Sequence, residues 1–434
     1  MSHDAARHDA ASGLPSTDRA KARLSGLSIF SERDYLTFNP DVAQAGLDGL
    51  RHALTHGVHE GRRIFSETTL ARAYGAVARC EGAPAAVASD GRAGPNEPKP
   101  RCSVFVHSLS DAAYHDAAAA LADDLASAGF ATTLRDESAE RLADHGTAVF
   151  VAAHEFFRLG TGQLWAEPAI LGEGFVFVDD PVESVEGGQS LAAILDARGV
   201  IETSAVGAAI WSEAGIPTLH VVPRVRLRSR WLEPADLGHP LMLAAPPRAR
   251  SLTCDPLAWD GRPLDVLFFG RDSPRRNGFF GRHAALLAEH ECFIYTQQGV
   301  VGKGEERLHR RAHMRISGHL STQARLTLNL CEGRFPALER RRVLDQAMAG
   351  GSVVVSDGRF VEPGLRPGIH YLYEDANHLG GLIGWLLNDP DGQRTAERVR
   401  DQAFGLIAAI NRDPSRLSRL PAFLLADAEH RGTS

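Results

Sequence analysis

Short apolar, β-branched runs alternate with amphipathic helical stretches in two separate regions of this 434-residue chain. The first region holds CSVFV, TAVFVAA and GFVFVDD, and the second holds LDVLFFG, LTLNLC and SVVVSD. Strands that alternate with helices predict βαβ units and a parallel sheet. Near-continuous apolar strands predict that helices cover both faces of that sheet. We therefore predict an α/β fold with two lobes and a cleft between them, preceded by a small N-terminal helical module.

Composition is that of a globular protein that does not bind nucleic acid. Hydrophobic residues make up 44% of the chain and charged residues 23%, close to globular averages. The formal net charge is −7, which argues against a broadly basic nucleic-acid-binding surface. The five cysteines form no CxxC pair, so neither a disulfide framework nor a zinc site is expected.

No segment has the pattern of a signal peptide or of a membrane span. The N-terminal residues lack a basic start followed by an apolar run. No stretch reaches the roughly 18 apolar residues that a bilayer requires. We expect a cytoplasmic protein without a transmembrane segment, with the inner-membrane surface as a further candidate location.

The pattern divides the chain at stretches rich in Pro, Gly and Ala, such as EGAPAAVASDGRAGPNEPKP. The predicted segments are a disordered tail (1–26), a small helical module (27–80), a linker (81–100), an N-terminal acceptor lobe (101–240), a second linker (241–262), a C-terminal donor-binding lobe (263–405) and a helical tail (406–434).

The turn FFGRDSPRRNGFF, residues 268–280, is a candidate phosphate site. We predict that a strand ends at Gly270 and that a helix begins near Arg276. Ligands of open α/β sheets bind where strands end and helices begin, and a helix N-terminus attracts anions. Gly270 permits close approach of the backbone, and the arginines would meet a phosphate there. A solvated basic turn would have the same residues.

A longer stretch, residues 328–375, resembles the C-terminal half of group-1-like bacterial GT-B glycosyltransferases. The resemblance covers residues 263–405 and extends more weakly to 102–225. The pieces that carry it are Ser273-Pro274-Arg275-Arg276, Leu328-Asn329, Glu332, Arg342-Val343, Ala347-Met348-Ala349 and the strand 352–356. It implies two Rossmann-like lobes, a nucleotide-sugar donor as substrate, and neither a metal nor another cofactor.

The resemblance also implies a set of site residues. Arginines at the helix start would neutralise the diphosphate of the donor and stabilise the leaving group. Glu332 would contact the sugar hydroxyls, both as a donor ligand and as a catalytic residue. The family usually has a glutamate where this chain has Gln346, and the neighbouring Asp345 points about 100° away from it on a helix. The donor-binding candidates are Gly270, Arg271, Ser273, Arg275, Arg276, Glu332, Arg342, Asp345 and Gln346.

The first lobe carries candidate catalytic residues in VFVAAHEFFRLGTG, residues 149–162. His154 and Glu155 directly follow a predicted strand. An inverting transferase needs a general base for the acceptor hydroxyl, and such side chains suit that role. A loop histidine with a structural partner is the alternative. Asp179-Asp180 is a second acidic pair after the next strand.

The N-terminal module resembles a short bacterial segment of the form YL..NPDVA.AG.D…HG..EGR, which recurs beside surface-polysaccharide enzymes. Its matching residues are Asp34, Tyr35, Asn39, Pro40, Asp41, Gly57, Glu60, Gly61 and Arg62. It carries no obvious chemistry, so we expect docking of a protein partner through residues 27–68. A metal site on His52, His56 and His59 is a weaker alternative, because no carboxylate or cysteine completes it.

The leading hypothesis is a glycosyltransferase of polysaccharide biosynthesis that acts on a glycan, lipid-linked or protein acceptor. Its alternative is a catalytically inactive GT-B-like subunit that binds or scaffolds, which Gln346 motivates. A Rossmann dehydrogenase is disfavoured, because no GxGxxG motif follows the first strand of either lobe.

Overall fold

The computed structural model describes residues 30–57, 60, 62–80, 98–141, 144–182, 184, 189–228, 230–250, 258–297 and 305–426. They form two compact units. The first contains the described residues up to Ser110, together with 114–223 and 414–426, and the second contains 111–113 and 224–413. These divisions differ from the predicted boundaries at 240 and 406. The predicted tail 1–26 and most of the linker 81–100 lie outside the described residues.

The first unit contains a six-stranded parallel sheet with the order β2-β1-β3-β4-β5-β6. Its strands are β1 (Arg101–Phe105), β2 (Ala131–Arg135), β3 (Thr147–Val151), β4 (Phe175–Val178), β5 (Gly199–Glu202) and β6 (Thr218–His220). The second unit contains a five-stranded parallel sheet with the order β11-β10-β9-β7-β8. Its strands are β7 (Leu264–Arg271), β8 (Cys292–Gln297), β9 (Ala324–Asn329), β10 (Val353–Ser356) and β11 (Leu372–Tyr373). The prediction of two parallel α/β lobes is confirmed.

Helices connect and flank these strands. Those before β7 are α1 (Glu32–Phe38), α2 (Pro40–Gln44), α3 (Gly49–His52), α4 (Glu67–Cys80), α5 (Ala112–Ser127), α6 (Ala153–Phe156), α7 (Pro168–Glu173), α8 (Leu191–Asp196), α9 (Ala205–Glu213) and α10 (Pro240–Ala244). Those after it are α11 (Pro274–Arg282), α12 (Ala284–Leu287), α13 (Glu305–Gln323), α14 (Leu379–Asn388), α15 (Pro390–Arg412) and α16 (Leu420–Leu425). Two segments, Ala53–Gly57 and Arg341–Met348, are π-helical.

The central strands of the second unit, β7, β9 and β10, are buried on both faces. In β7, Val266 and Phe268 belong to a core that includes α14 and α15, whereas Leu267 and Phe269 belong to a core that includes α13. Alternate side chains of a strand point to opposite faces. A sheet covered on both faces therefore needs apolar residues at successive positions, which explains the run LDVLFF.

The first unit is completed by the C-terminal end of the chain. Leu417, Leu420 and Leu424 pack in the same buried cluster as Val104 of β1 and Val149 of β3. The C-terminal segment therefore forms part of the core of the first unit.

Candidate functional site

The sheet of the second unit reverses its strand order beside β7. Its sequence neighbours β8 and β9 lie on opposite sides of it. The connections that follow β7 and β9 therefore leave in different directions, and in open α/β sheets such a switch point is where ligands bind. Arg271 is the last residue of β7, Ser273 follows it before the next helix, and the loop after β9 carries Glu332.

The helix that follows β7 begins earlier than predicted. Strand β7 ends at Arg271 and α11 begins at Pro274. Ser273 is the N-cap, and its Oγ accepts a hydrogen bond from the Arg276 amide at 3.2 Å. Proline is well suited to the first helical position. The positive end of this helix therefore lies at the switch point.

Gly270 fits a crowded position in β7. A Cβ atom there would lie 2.7 Å from Cζ of Phe268 and 3.3 Å from Nη1 of Arg342. The absence of a side chain is thus required by neighbouring protein atoms. Its predicted approach to a ligand remains a proposal.

Arg276 is buried and joins the two loops of the switch point. Its guanidinium donates to the carbonyl oxygen of Leu330 at 3.0 and 2.8 Å and to that of Arg271 at 3.0 Å. Oxygens of Glu332 and Glu339 lie 3.6 and 3.8 Å from it. Burial lowers the pKa of Arg276. The guanidinium holds both loops in place through their backbone.

Arg275 takes a different direction and is exposed. Its guanidinium donates to Oδ2 of Asp357 at 3.0 and 2.7 Å. Asp357 follows β10, and its other oxygen accepts a hydrogen bond from the Cys331 amide at 2.7 Å. From its position after β10, Asp357 therefore contacts both α11, through Arg275, and the loop after β9, through Cys331. Sequence analysis did not identify this residue. The sequence signal was an acid directly after the strand VVVS.

The π-helical segment 341–348 holds the remaining predicted donor residues. Arg342 donates to the carbonyl oxygen of Phe269 and pairs with Glu339. Asp345 lies 3.8 Å from the Arg340 guanidinium. Glu339 is a further residue of this site that sequence analysis did not include.

Gln346 is buried, and its side chain is used inside the unit. Its Oε1 accepts a hydrogen bond from Ser317 Oγ at 3.1 Å, and its Nε2 donates to the Met314 carbonyl at 3.3 Å. Both partners lie on α13. The amide thus fixes the π-helical segment against that helix.

In the first unit, the switch point lies between β1 and β3. His107 follows β1, and its Nδ1 accepts a hydrogen bond from the Leu109 amide at 3.0 Å. Its Nε2 lies 2.7 Å from the carbonyl oxygen of Leu159, which belongs to the loop after β3. A Cβ atom at Gly162 would overlap the Phe156 carbonyl oxygen, so this glycine is required by tight packing of the loop.

His154 is buried on the short helix α6, after β3. It follows Ala152, whose φ of 50° and ψ of 57° place it in the left-handed region. Nε2 of His154 lies 3.3 Å from the Tyr114 hydroxyl, and Nδ1 lies 3.1 Å from the Ser190 hydroxyl. Glu155, the other predicted catalytic residue of this loop, is half-buried on the same helix.

The second acidic pair of this edge is connected to His154. The Tyr114 hydroxyl donates to Asp180, with oxygen distances of 3.0 and 3.2 Å. Asp179 accepts a hydrogen bond from Thr203 Oγ1 at 3.0 Å. Sequence analysis identified Asp180 and His154 separately, but it identified neither Tyr114 nor Ser190.

Polar residues of the N-terminal motif bond with one another. Arg62 donates to both oxygens of Asp41 at 2.7 Å, and it also pairs with Glu60. The Tyr35 hydroxyl lies 2.9 Å from Nδ1 of His52. Through these contacts the motif residues hold the short N-terminal helices together. His59 and Gly61 lie outside the described residues.

One group of side chains in the described part of the chain has the spacing of metal ligands. Ligand atoms of Glu374, Asp375 and His378 lie within 4.8 Å of one another. His378 is exposed and already bonds to Asp375 at 2.6 Å. No described helix is long and apolar enough to cross a membrane.

Comparisons with known proteins give similarity at low sequence identity. No family model matches the chain, and no curated protein matches it. HepE of Anabaena, solved with UDP-glucose, is 13% identical with a TM-score of 0.42, covering 73% of this chain and 98% of its own. An α1,3-fucosyltransferase is 10% identical with a TM-score of 0.38, covering 75% and 94%. A glycosyltransferase of Rickettsia africae is 9% identical with a TM-score of 0.40, covering 78% and 100%. The functional argument therefore rests on the residues of this chain.

Proposed function

We propose that this protein is a glycosyltransferase. It would move a sugar from a nucleotide-sugar donor, without a metal, to a glycan, lipid-linked or protein acceptor. The observation that carries the proposal is the arginine-bearing switch point of the second unit. There, the loops after β7 and β9 meet the N-terminus of α11.

The diphosphate of the donor is proposed to lie at the start of α11. Pro274 has no amide proton, and the Arg276 amide already donates to Ser273. The amides of Ser273 and Arg275 are therefore the candidates for phosphate contact, supported by the dipole of the helix. The exposed Arg271 side chain supplies charge beside them.

Sugar transfer leaves a nucleoside diphosphate, whose negative charge grows as the bond to the sugar breaks. Positive groups fixed at that position stabilise the transition state more than the ground state, which accelerates the reaction. Arg271 and Arg275 are proposed for this role. Arg342, which lies close to Gly270, is proposed to add positive charge. Arg276 is proposed to hold the loops, since its guanidinium is bonded to their carbonyls.

Glu332 is proposed to bind the hydroxyls of the donor sugar. Its side chain is 56% exposed at the loop after β9, and a carboxylate accepts two hydroxyl hydrogen bonds. Asp345 is the remaining candidate for the ribose. We assign Gln346 a supporting role, because its amide bonds to α13.

The test is a panel of UDP-, GDP-, ADP- and dTDP-linked sugars, read by thermal shift and by release of the nucleoside diphosphate. A donor present at 100 times its dissociation constant should stabilise the protein by about 2.7 kcal/mol. Arg271→Ala should weaken that stabilisation, whereas Arg282→Ala, at the far end of α11, should not. No stabilisation by any of these donors would contradict the proposal.

The second candidate is a binding subunit without catalysis. Gln346 favours it, because this side chain is buried and bonded within the unit. If Arg271→Ala and Glu332→Ala leave glycosylation in cells intact while deletion of residues 27–68 abolishes it, the binding function is correct. Loss of glycosylation in both point variants, with normal protein levels, supports the transferase.

A further inference from the structure

We propose that Asp180, Tyr114, His154 and Ser190 form a proton relay in the first unit. In this relay Asp180 and Tyr114 are positioning residues that keep the His154 proton on Nε2. The catalytic meaning of the relay rests on the proposed transfer function, whereas the protonation of His154 is measurable without it.

The four side chains form a continuous chain of contacts. The Tyr114 hydroxyl lies 3.0 and 3.2 Å from the Asp180 oxygens and 3.3 Å from Nε2 of His154. Nδ1 of His154 lies 3.1 Å from Oγ of Ser190. Tyr114, His154 and Ser190 are each no more than 6% exposed. Burial keeps water from competing for these hydrogen bonds.

The chemistry of the groups sets the direction of the hydrogen bonds. An ionised carboxylate only accepts, so the single proton of Tyr114 goes to Asp180. The Tyr114 oxygen is then an acceptor towards His154, and Nε2 must carry the proton that it receives. A neutral imidazole protonated at Nε2 has its lone pair on Nδ1. Ser190 donates to that lone pair.

A strained backbone residue positions His154 for these contacts. Ala152 adopts φ 50°, and the other positive-φ residues in the described part of the chain are glycines. A left-handed conformation is unfavourable for an alanine, because its Cβ crowds the following carbonyl oxygen. Such strain persists where the surrounding structure fixes it, and it is typical of functional sites. At Ala152 the left-handed conformation redirects the chain from β3 into α6.

Four separate elements supply the relay. Tyr114 lies in the first turn of α5, Asp180 follows β4, and Ser190 precedes α8. His154 follows β3. The relay therefore spans the carboxyl ends of β3 and β4, and a change in one element alone would break it.

The proposed step moves protons along the relay. An acceptor hydroxyl gives its proton to Ser190 Oγ, while the Ser190 proton passes to Nδ1 of His154. The O–H bond of the acceptor breaks, its oxygen keeps the electron pair as the activated nucleophile, and a new N–H bond forms at Nδ1. The imidazolium is stabilised by Tyr114 and the Asp180 charge.

Nitrogen NMR of the full-length protein with ring-¹⁵N histidine tests the protonation of His154. The resonances are assigned by their loss in His154→Asn. We expect a protonated Nε2 and a bare Nδ1 in the wild type. Tyr114→Phe removes the acceptor and should shift the proton towards Nδ1. A wild-type His154 protonated on Nδ1 alone, or a Tyr114→Phe spectrum identical to wild type, would overturn the positioning role.

Kinetics test the catalytic role on the donor found in the panel. Ser190→Ala and Asp180→Asn should each lower kcat by about 10²-fold or more, as expected for loss of acid–base catalysis, while the donor KM stays within about twofold. Tyr373→Phe, on β11 of the second unit, is the control. Unchanged kcat in both relay variants would refute the relay. A wild type that transfers no sugar would instead count against the proposed function, and the NMR spectrum would then decide on the positioning alone.

Discussion

Two neighbouring arginines, Arg275 and Arg276, have different surroundings although they follow each other in the sequence. Residues one position apart on a helix point about 100° away from each other. Arg276 therefore points into the unit and bonds to Leu330, which lies 54 residues later. The sequence identified this turn and the end of β7, the strand that precedes it. It did not identify the buried arginine, because burial depends on a loop that is distant in the chain.

Arg276→Ala is predicted to destabilise the second unit more than Arg275→Ala. The substitution removes the guanidinium from the buried Leu330 carbonyl, at about 1–3 kcal/mol, and from the partly buried Arg271 carbonyl. Arg275 is exposed, and its removal takes the guanidinium from one oxygen of Asp357 while the other oxygen keeps the Cys331 amide, so a smaller loss is expected. Urea unfolding of the two variants beside the wild type measures the difference. Equal losses of stability would contradict this assignment.

Glu202 is predicted to make stability dependent on pH. Burial raises its pKa well above the ordinary value of about 4.5, although its oxygens accept hydrogen bonds from the Ser204 amide and Trp211 Nε1. Above pH 4.5 the unfolded chain releases this proton and the folded chain keeps it. The free energy of unfolding therefore falls as pH rises from about 4.5 to the folded pKa.

The variant Glu202→Gln tests this dependence, because it removes the titrating group. Relative to the wild type, the variant should gain up to about 1.4 kcal/mol per pH unit across the window. Glu397→Gln, on the exposed side of α15, is the control. Parallel pH profiles for the wild type and Glu202→Gln would show that Glu202 does not titrate in this way.

Elements that are buried on both faces were predicted best. The apolar runs of β3, β4, β7, β9 and β10 gave strands at the expected positions. Strand β2, with the sequence ATTLR, was not predicted. It is an edge strand that pairs with β1, and four of its five residues are exposed, Thr132 being the exception. Its sequence therefore lacks the apolar run that identifies an internal strand.

The N-terminal helices have a motif whose residues determine their packing. Arg62 holds the pKa of Asp41 at about 2 through its hydrogen bonds. Burial raises the pKa of Tyr35 to about 12. The sequence identified these residues as a pattern, but their pairing across 21 positions required the structure.

Gly57→Ala is predicted to unfold these helices locally. A Cβ atom at Gly57 would overlap the Tyr35 hydroxyl and would displace it from His52. Overpacking of this kind costs about 1–3 kcal/mol. Hydrogen exchange of the amides in α1 to α3 measures the effect. Gly75→Ala in α4, where the nearest atom is the flexible end of Arg79, is the control and should keep wild-type protection.

At the scale of the whole molecule, the chain returns to its first unit after completing the second. Residues 414–426 group with the first unit, and Arg416 pairs there with the buried Asp124 at 2.5 Å. The sequence predicted a helical tail at 406–434 without assigning it to either lobe. An amphipathic pattern shows that a helix has an apolar face, but it does not show which core covers that face.

Leu424→Ala is predicted to weaken the first unit selectively. Leu424 is fully buried in the core of that unit, and truncation of a buried leucine costs about 2–5 kcal/mol. Hydrogen exchange should show lost protection in β1 and β3 and unchanged protection in β9 and β10. Leu243→Ala, at an exposed position of α10, is the control. Loss of protection in the second sheet instead would contradict this division of the chain.

The central claim is that the switch point of the second unit binds the diphosphate of a nucleotide-sugar. A crystal structure with the nucleoside diphosphate that stabilises the protein most tests it directly. The account predicts that the phosphates contact the amides of Ser273 and Arg275 and the guanidinium of Arg271. Phosphates bound at another place, with this switch point empty, would contradict it.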